Sequence, residues 1–262
     1  MRKIGNIGLF IMLEILAIFM VISSNSDKRL FVYNTVNRVF GKGLSVGLRM
    51  QNYMHLIEEN DSLIDLNQKL MERNINCQSS NTPGQYSLIG GKVIRNSISH
   101  RNNIILIAAG EKDGVKEGMG VISKNGYAVG KIISVSPNYS AAISILNQIV
   151  SFSAKHGTTG LVGTIVWNGK DPEFVTLEDI RKHSPVKYGD TIYTSGYSQT
   201  FPEGLEIGVV DKIDQTPNYK SYIITVRLLE NLQRLDYVYI ISNNDVGEID
   251  SLYNRTKLIL GE

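Results

Sequence analysis

Scarcity narrows the possibilities first. The 262-residue chain carries one cysteine, Cys77, so it forms no intrachain disulfide, and any domain outside the cytoplasm must stand on packing alone. Its four histidines, His55, His100, His156 and His183, are scattered, and no CxxC, HExxH or His-x-His spacing offers a metal cage. The formal net charge is only +2 and no run of lysine and arginine occurs, which argues against a nucleic-acid partner. Nothing points to a cofactor or a small-molecule substrate. What is present is ordinary: 42% apolar residues, enough to bury the core of one large domain or two small ones.

The first segment addresses the compartment. Met1-Arg2-Lys3 precedes a largely apolar run from Ile4 to Ile22, interrupted by Asn6 and Glu14. Nineteen helical residues span roughly 28 Å, close to the hydrocarbon thickness of a bilayer. Positive residues ahead of such a span keep the N-terminus cytoplasmic and send the rest outward. The expectation is residues 1–3 in the cytoplasm, a single transmembrane helix over 4–22, a juxtamembrane segment over 23–43, and the bulk of the chain periplasmic or extracellular. A cleaved signal peptide is the rival, but a small-x-small site is poorly marked around Ser23-Ser24-Asn25-Ser26. Glu14 inside the span either contacts a membrane-embedded partner or sits protonated among its apolar neighbours.

Residues 44–80 carry a helical pattern. Leu56, Leu63 and Leu70 recur every seven residues, Asn60 and Asn67 fall four after the first two, Ile57, Ile64 and Met71 flank them, and Tyr53 continues the stripe. With the leucines at d, both asparagines occupy a, the pattern of a coiled-coil seam with polar register markers that favours a parallel dimer. The competing reading is an amphipathic helix packed on its own domain. Asn81-Thr82-Pro83-Gly84 then breaks the helix.

Beyond it the period changes to short Val-, Ile- and Tyr-rich runs separated by turn residues, and 19 of the 24 glycines lie after Pro83. The runs are 104–108, 119–122, 127–135, 149–152, 161–167, 191–194, 206–213, 222–229 and 237–241. Asn125-Gly126 marks a hairpin. One construction occurs twice: Val115–Ile122 matches Val186–Tyr193, and Gly126–Ile132 matches Gly204–Val210, with seven extra residues in the second copy around Ser195–Pro202. The fold class expected is mainly β: two small β-barrel modules, over 85–167 and 168–242, following an N-terminal transmembrane helix and a coiled-coil helix. Residues 243–262 read as a polar tail with little structure of its own.

The stretch Gly189-Asp190-Thr191-Ile192-Tyr193-Thr194-Ser195-Gly196, followed by Phe201-Pro202-Glu203-Gly204-Leu205-Glu206-Ile207-Gly208-Val209-Val210, resembles the signature G-D-x-V-x-T-S-G…F-P-x-G-x-x-V-G-x-V of the rod-shape-determining MreC family. The earlier stretch 115–135, with Gly118, Gly126 and Gly130, followed by Ser140-Ala141-Ala142-Ile143, is similar to that family's first barrel pattern. The resemblance implies a non-catalytic, membrane-anchored scaffold that self-associates. It also implies partners: the cytoskeletal filament MreB, reached with the membrane protein MreD, and outside the membrane the glycosyltransferase RodA and a class B penicillin-binding transpeptidase. Read on their own chemistry, Gly189-Asp190 is a turn, Thr194-Ser195-Gly196 ends a strand, and Phe201-Pro202 is an aromatic anchor before a fixed turn.

Two other classes compete. Successive β barrels also describe chymotrypsin-like proteases, and Ser195-Gly196 is superficially suggestive, but neither Gly-Asp-Ser-Gly nor G-x-S-x-G is present. A periplasmic adaptor of a secretion or efflux system would need a second antiparallel helix, and the sequence from Tyr86 onward offers none.

Overall fold

The computed structural model describes residues 10–17, 19–20, 51, 53–77, 85–182, 184–214 and 221–260. The chain divides into two compact units, residues 1–65 and 66–262. In the first, residues 10–17 and 19–20 form helix α1, on which Glu14 is exposed. The remainder of the anchor expected over 4–22, and the whole of 23–43, lie outside the described residues. Among those described, no helix is long and apolar enough to cross a membrane. Helix α2, residues 51 and 53–77, begins in the first unit and ends in the second; positions 44–50 and 78–80 of the expected coiled coil lie outside the described residues.

The second unit holds twelve strands in two closed six-stranded barrels, as the mainly β expectation required. The first contains β1 (Tyr86–Asn96), β2 (Asn102–Ala108), β3 (Gly120–Ser123), β4 (Ala128–Val135), β5 (Ser140–Asn147) and β12 (Tyr237–Asn243), in the order β1-β12-β3-β4-β5-β2. The second contains β6 (Phe152–His156), β7 (Val162–Val166), β8 (Phe174–Arg181), β9 (Thr191–Thr194), β10 (Glu206–Asp214) and β11 (Ser221–Leu228), in the order β10-β11-β8-β7-β6-β9.

This pairing corrects the expected module boundary. The second barrel, β6 to β11, is inserted into the first, and β12 returns to close the first between β1 and β3. The physical reason lies in β12 itself: Val238, Tyr239, Ile240 and Ile241 are all buried, so both faces of the strand need cover. Only a position with a barrel interior on one side and packed elements on the other supplies it. The tail is corrected too. After β12, helix α3 (Val246–Leu260) occupies most of the segment read as little structured.

The internal repeat extends to individual hydrogen bonds. Gly118 N donates to Ile132 O and Ile132 N to Met119 O; in the second barrel Gly189 N donates to Val210 O and Val210 N to Asp190 O, at 2.8–2.9 Å throughout. Both copies also shift register at the same place, between Ile132 and Ser134 in one and Val210 and Lys212 in the other. Such a bulge bends a strand sharply enough to close a small barrel. Gly118 and Gly189 share a left-handed φ, 91° and 83°, which an L side chain adopts only with strain. Gly130 and Gly208 serve close approach instead. A Cβ at either would stand 2.2 Å from Ile143 O or 2.4 Å from Arg227 O, backbone atoms of the neighbouring strand. Gly208→Ala is therefore expected to cost about 1–3 kcal/mol through overpacking. Urea denaturation measures it, and an unchanged midpoint would show that the strands can separate without penalty.

Candidate interaction surfaces

Helix α2 meets the first barrel along an edge that the barrel leaves open. β1 is eleven residues long but pairs with β2 only from Lys92 to Asn96, so its start has a free side. The backbone groups facing that side need partners. Side chains of α2 supply them. Gln68 Nε2 donates to Leu88 O (2.8 Å), Leu88 N donates to Glu72 Oε1 (2.7 Å), Asn76 Nδ2 donates to Tyr86 O (2.8 Å), and Tyr86 N donates to Asn76 Oδ1 (2.9 Å). Residues 68, 72 and 76 are four apart, one above another on a single helix face, and so can follow an extended strand. Met71 and the buried Ile75 fill the space beside this polar row.

Asn67 joins the same junction. Its Nδ2 donates to Lys124 O at 3.2 Å, and its side chain also bonds to the buried Tyr239. Burial pushes the Tyr239 phenol up, the neighbouring Tyr237 adds to the effect, and the Asn67 bond opposes it. Thus two residues placed by heptad arithmetic in the seam, Asn67 and Met71, are turned to the barrel. The remaining seam residues divide: Tyr53, Leu56, Ile57, Leu63 and Leu70 are exposed, as is Asn60, and Ile64 is half-buried. Leu66, which the heptad assignment left out of the seam, is also exposed. The row Gln68-Glu72-Asn76 was missed by sequence reasoning; its signal was polar residues at i, i+4 and i+8 ahead of an extended segment.

The signature residues form a second junction, between the barrels. Thr194 Oγ1 donates to Pro202 O (2.6 Å) and accepts from Leu205 N (3.0 Å), folding the β9–β10 loop back on its own strand. Gly196 turns with φ 78° beside Glu203, and Gly204 closes the loop with φ 94°, as Gly126 with φ 88° closes the shorter hairpin of the first copy. Pro202 is buried. Phe201, 3% exposed, packs against Phe152 of β6 with ring centroids 6.1 Å apart and planes tilted by 50°, and lies against Gly120 of β3. A Cβ on Gly120 would fall 2.7 Å from the Phe201 ring and 2.3 Å from Thr200 O. The extra residues of the second copy therefore carry an aromatic ring from one barrel onto the other. Tyr197, at the same loop, is 78% exposed.

Asp190 holds a buried pair. Its Oδ2 accepts from Lys187 N (2.7 Å) and lies 2.9 Å from Nε2 of His156, which is fully buried. On the other side of the ring, His156 Nδ1 lies 2.9 Å from Thr159 Oγ1 and 3.3 Å from the Thr159 backbone N, so both ring nitrogens are held. In the first copy the matching amide, Lys116 N, donates to Met119 Sδ (3.3 Å). Ser195 meets neither of these groups; its hydroxyl pairs with Ser153 Oγ at 2.7 Å and accepts from Tyr197 N. No nucleophile–base pair is assembled from Ser195 and His156. Among the described residues, no group of three or more His, Cys, Asp or Glu side chains could hold a metal ion.

Where the chain re-enters the first barrel, Lys124 bridges to Asp236 (3.0 Å) and Asn125 Nδ2 donates to Glu230 (3.0 Å). Burial alone would raise the Asp236 carboxyl. The Lys124 hydrogen bond and charge, with the backbone N–H groups of Asp236 and Tyr237, outweigh it and hold the carboxyl below the usual aspartate value.

The chain is mainly β, with twin six-stranded barrels, the second inserted in the first, and the end of α2 bonded along the first. The profile of the family described as rod shape-determining protein MreC, barrel core, matches residues 93–242, more than half of the chain. The chain belongs to the MreC family. It is 27% identical over 202 residues to the cell shape-determining protein MreC of Haemophilus influenzae, covering 75% of this chain and 57% of that one. It is 30% identical over 176 residues to the protein of the same name from Bacillus subtilis, covering 63% and 60%. The crystal structure of MreC from Pseudomonas aeruginosa superposes with a TM-score of 0.55 at 22% identity, covering 59% of this chain and 98% of that one, a likeness of fold. The matches thus span 57–60% of the length of these two curated relatives.

Phe201→Ala is expected to lower the unfolding free energy by about 3–5 kcal/mol, while Tyr197→Ala stays within about 0.5 kcal/mol. Equal effects in urea denaturation would show that Phe201 does not hold the barrels. Asp236→Asn tests the re-entry bridge. A depressed carboxyl adds stability above its unfolded pKa and loses it as pH falls through the folded one. The variant should therefore be less stable than the parent near neutrality, by no more than about 1 kcal/mol for so exposed a pair, with the gap closing below pH 4.

Proposed function

We propose that the protein is a non-catalytic, membrane-anchored scaffold of the cell-elongation machinery, controlling rod shape by linking the MreB cytoskeleton, with MreD, to peptidoglycan synthases outside the membrane. The observation that carries this reading is the family match across the barrel core, in a chain whose signature residues are spent on backbone and inter-barrel contacts rather than on a reacting centre. Arg2 and Lys3 followed by the apolar run to Ile22 support a single-pass anchor with a cytoplasmic N-terminus. Glu14 then contacts a polar group of a membrane-embedded partner. The exposed leucines of α2 support self-association in a parallel pair, and barrel surfaces are offered to RodA and to a class B penicillin-binding transpeptidase.

The adaptor alternative needs a second helix running back antiparallel to the first, whereas the described residues that follow α2 build the two barrels from Tyr86 to Asn243, and the later helix α3 comes only after them. Depletion of the protein in its native cell is expected to turn elongated growth into rounded cells, scored by microscopy. Normal morphology accompanied by a secretion defect would instead support the adaptor. Glu14→Leu is expected to reduce co-purification of membrane partners, and unchanged recovery would remove the role given to Glu14.

A further inference from the structure

The division of labour around α2 changes the seam through which two copies meet, an inference that rests on the self-association proposed above. Within the second unit the helix shows two distinct faces. Asn67, Met71 and Ile75 point to the first barrel, together with Gln68, Glu72 and Asn76. Leu66 and Leu70 are more than half exposed, and the free thiol of Cys77 is exposed as well. At about 100° per residue, the Leu66-Leu70-Cys77 face lies roughly 120° around the helix from the Asn67-Met71-Ile75 face. A second chain cannot use both.

We propose that two copies pair through a seam turned by about 40° around the helix from the one heptad arithmetic selects, with Leu63 and Leu70 at a, Leu66 at d, and Asn67 outside the core. Leu56 and Cys77 fall at the same heptad position as Leu63 and Leu70, seven residues on either side. Asn67 then marks no dimer register; it fixes the helix on the barrel. Glu59 and Arg73 take the neighbouring d positions, so the apolar core is short. Four leucines at 53–61% exposure in each copy offer on the order of several hundred Å² of apolar surface, less than a standard interface. A short seam suffices when both chains rise from one membrane, because anchoring raises the effective concentration of each helix near the other.

The rotation has a geometric consequence. The barrel is fixed to the face turned away from the seam by about 120°, so pairing carries the two first barrels outward from the dimer axis and leaves their outer walls free. With Asn67 in the core, its side chain would have to face the partner helix while also bonding to Lys124 of the barrel, and the two contacts would compete for one amide.

The test uses the full-length protein in membranes with Cys77→Ser and single cysteines introduced as Leu66→Cys, Asn67→Cys, Leu70→Cys and Met71→Cys. Oxidation bonds only cysteines whose Cα atoms approach within about 7 Å. Leu66→Cys and Leu70→Cys should form dimers at least about tenfold faster than Asn67→Cys and Met71→Cys. Faster bonding at Asn67→Cys than at Leu66→Cys would overturn the rotated seam and leave the parallel pair standing. Failure at all four positions, with a monomer by analytical ultracentrifugation in detergent, would overturn the pair itself and the seam with it. Asn67→Leu provides a second readout. On the rotated seam it weakens helix docking, seen as faster amide exchange at Tyr86 and Leu88, without changing the oligomeric state; a shift to higher oligomers with docking intact would overturn the assignment.

Discussion

Closure of the first barrel by the last strand is the constraint on which the rest of the structure depends. β1 and β12 pair from Tyr86↔Asn243 to Lys92↔Tyr237, so the start and finish of the domain are neighbours while all six strands of the other barrel lie between them in sequence. The cost of closing so long a loop grows only slowly with its length, but the second barrel must be compact for the return to be short. The two modules are therefore coupled through the chain. The polar contacts at re-entry, Lys124–Asp236 and Asn125–Glu230, sit where that return is made. Long-range pairing of this kind also makes for slow folding.

The same strand β1 explains why the helix sits where it does. Having paired with β12 over its first seven residues and with β2 over its last five, β1 leaves Tyr86 and Leu88 with one unpaired side. An uncovered edge is a template for unwanted pairing. A helix cannot offer backbone groups laterally, so α2 uses amide and carboxylate side chains in their place. The orientation of the helix about its own axis is thereby fixed by four hydrogen bonds, and with it the choice of which residues remain exposed.

Several features were legible in the sequence because they are local. The glycine pairs 118/189 and 126/204 announce a duplicated strand pair because a left-handed turn demands each within a few residues, and the pair 130/208 repeats at the same spacing where a neighbouring strand comes close. Others were not. β5, with Ser140-Ala141-Ala142-Ile143, is legible only through the family's barrel pattern and not as a strand run, because small residues carry little β signal; they fit where two neighbouring strands crowd the wall. β8 was hidden by Glu178 and Asp179, which face solvent. The module boundary was missed because hydrophobic alternation shows that a strand exists and not which strand it pairs with. Asn67 was given to the seam because heptad counting cannot see a barrel arriving from later in the chain. The Phe201 anchor was legible as an aromatic group before a turn, but its partner Gly120 lies in the other copy, beyond any local pattern.

Duplication followed by divergence of one loop accounts for the coupling. In the first copy the β3–β4 turn is short, and α2 reaches it: Asn67 bonds to Lys124, and the Met71 side chain stands 3.9 Å from the place a Cβ would take on Gly126. In the second copy the matching β9–β10 loop is seven residues longer and reaches the other way, placing Phe201 on β3. The equivalent turns converge. Met71, Ile75, Ile122, Tyr127, Tyr193 and Leu205 line one cleft of about 440 Å³ where helix and both hairpins meet. The first hairpin meets Asn67 and Met71 of α2 at its turn, and Gly120 on its strand β3 meets Phe201. The helix and the second barrel thus bear on one hairpin, whose strand β3 is buried along its whole length.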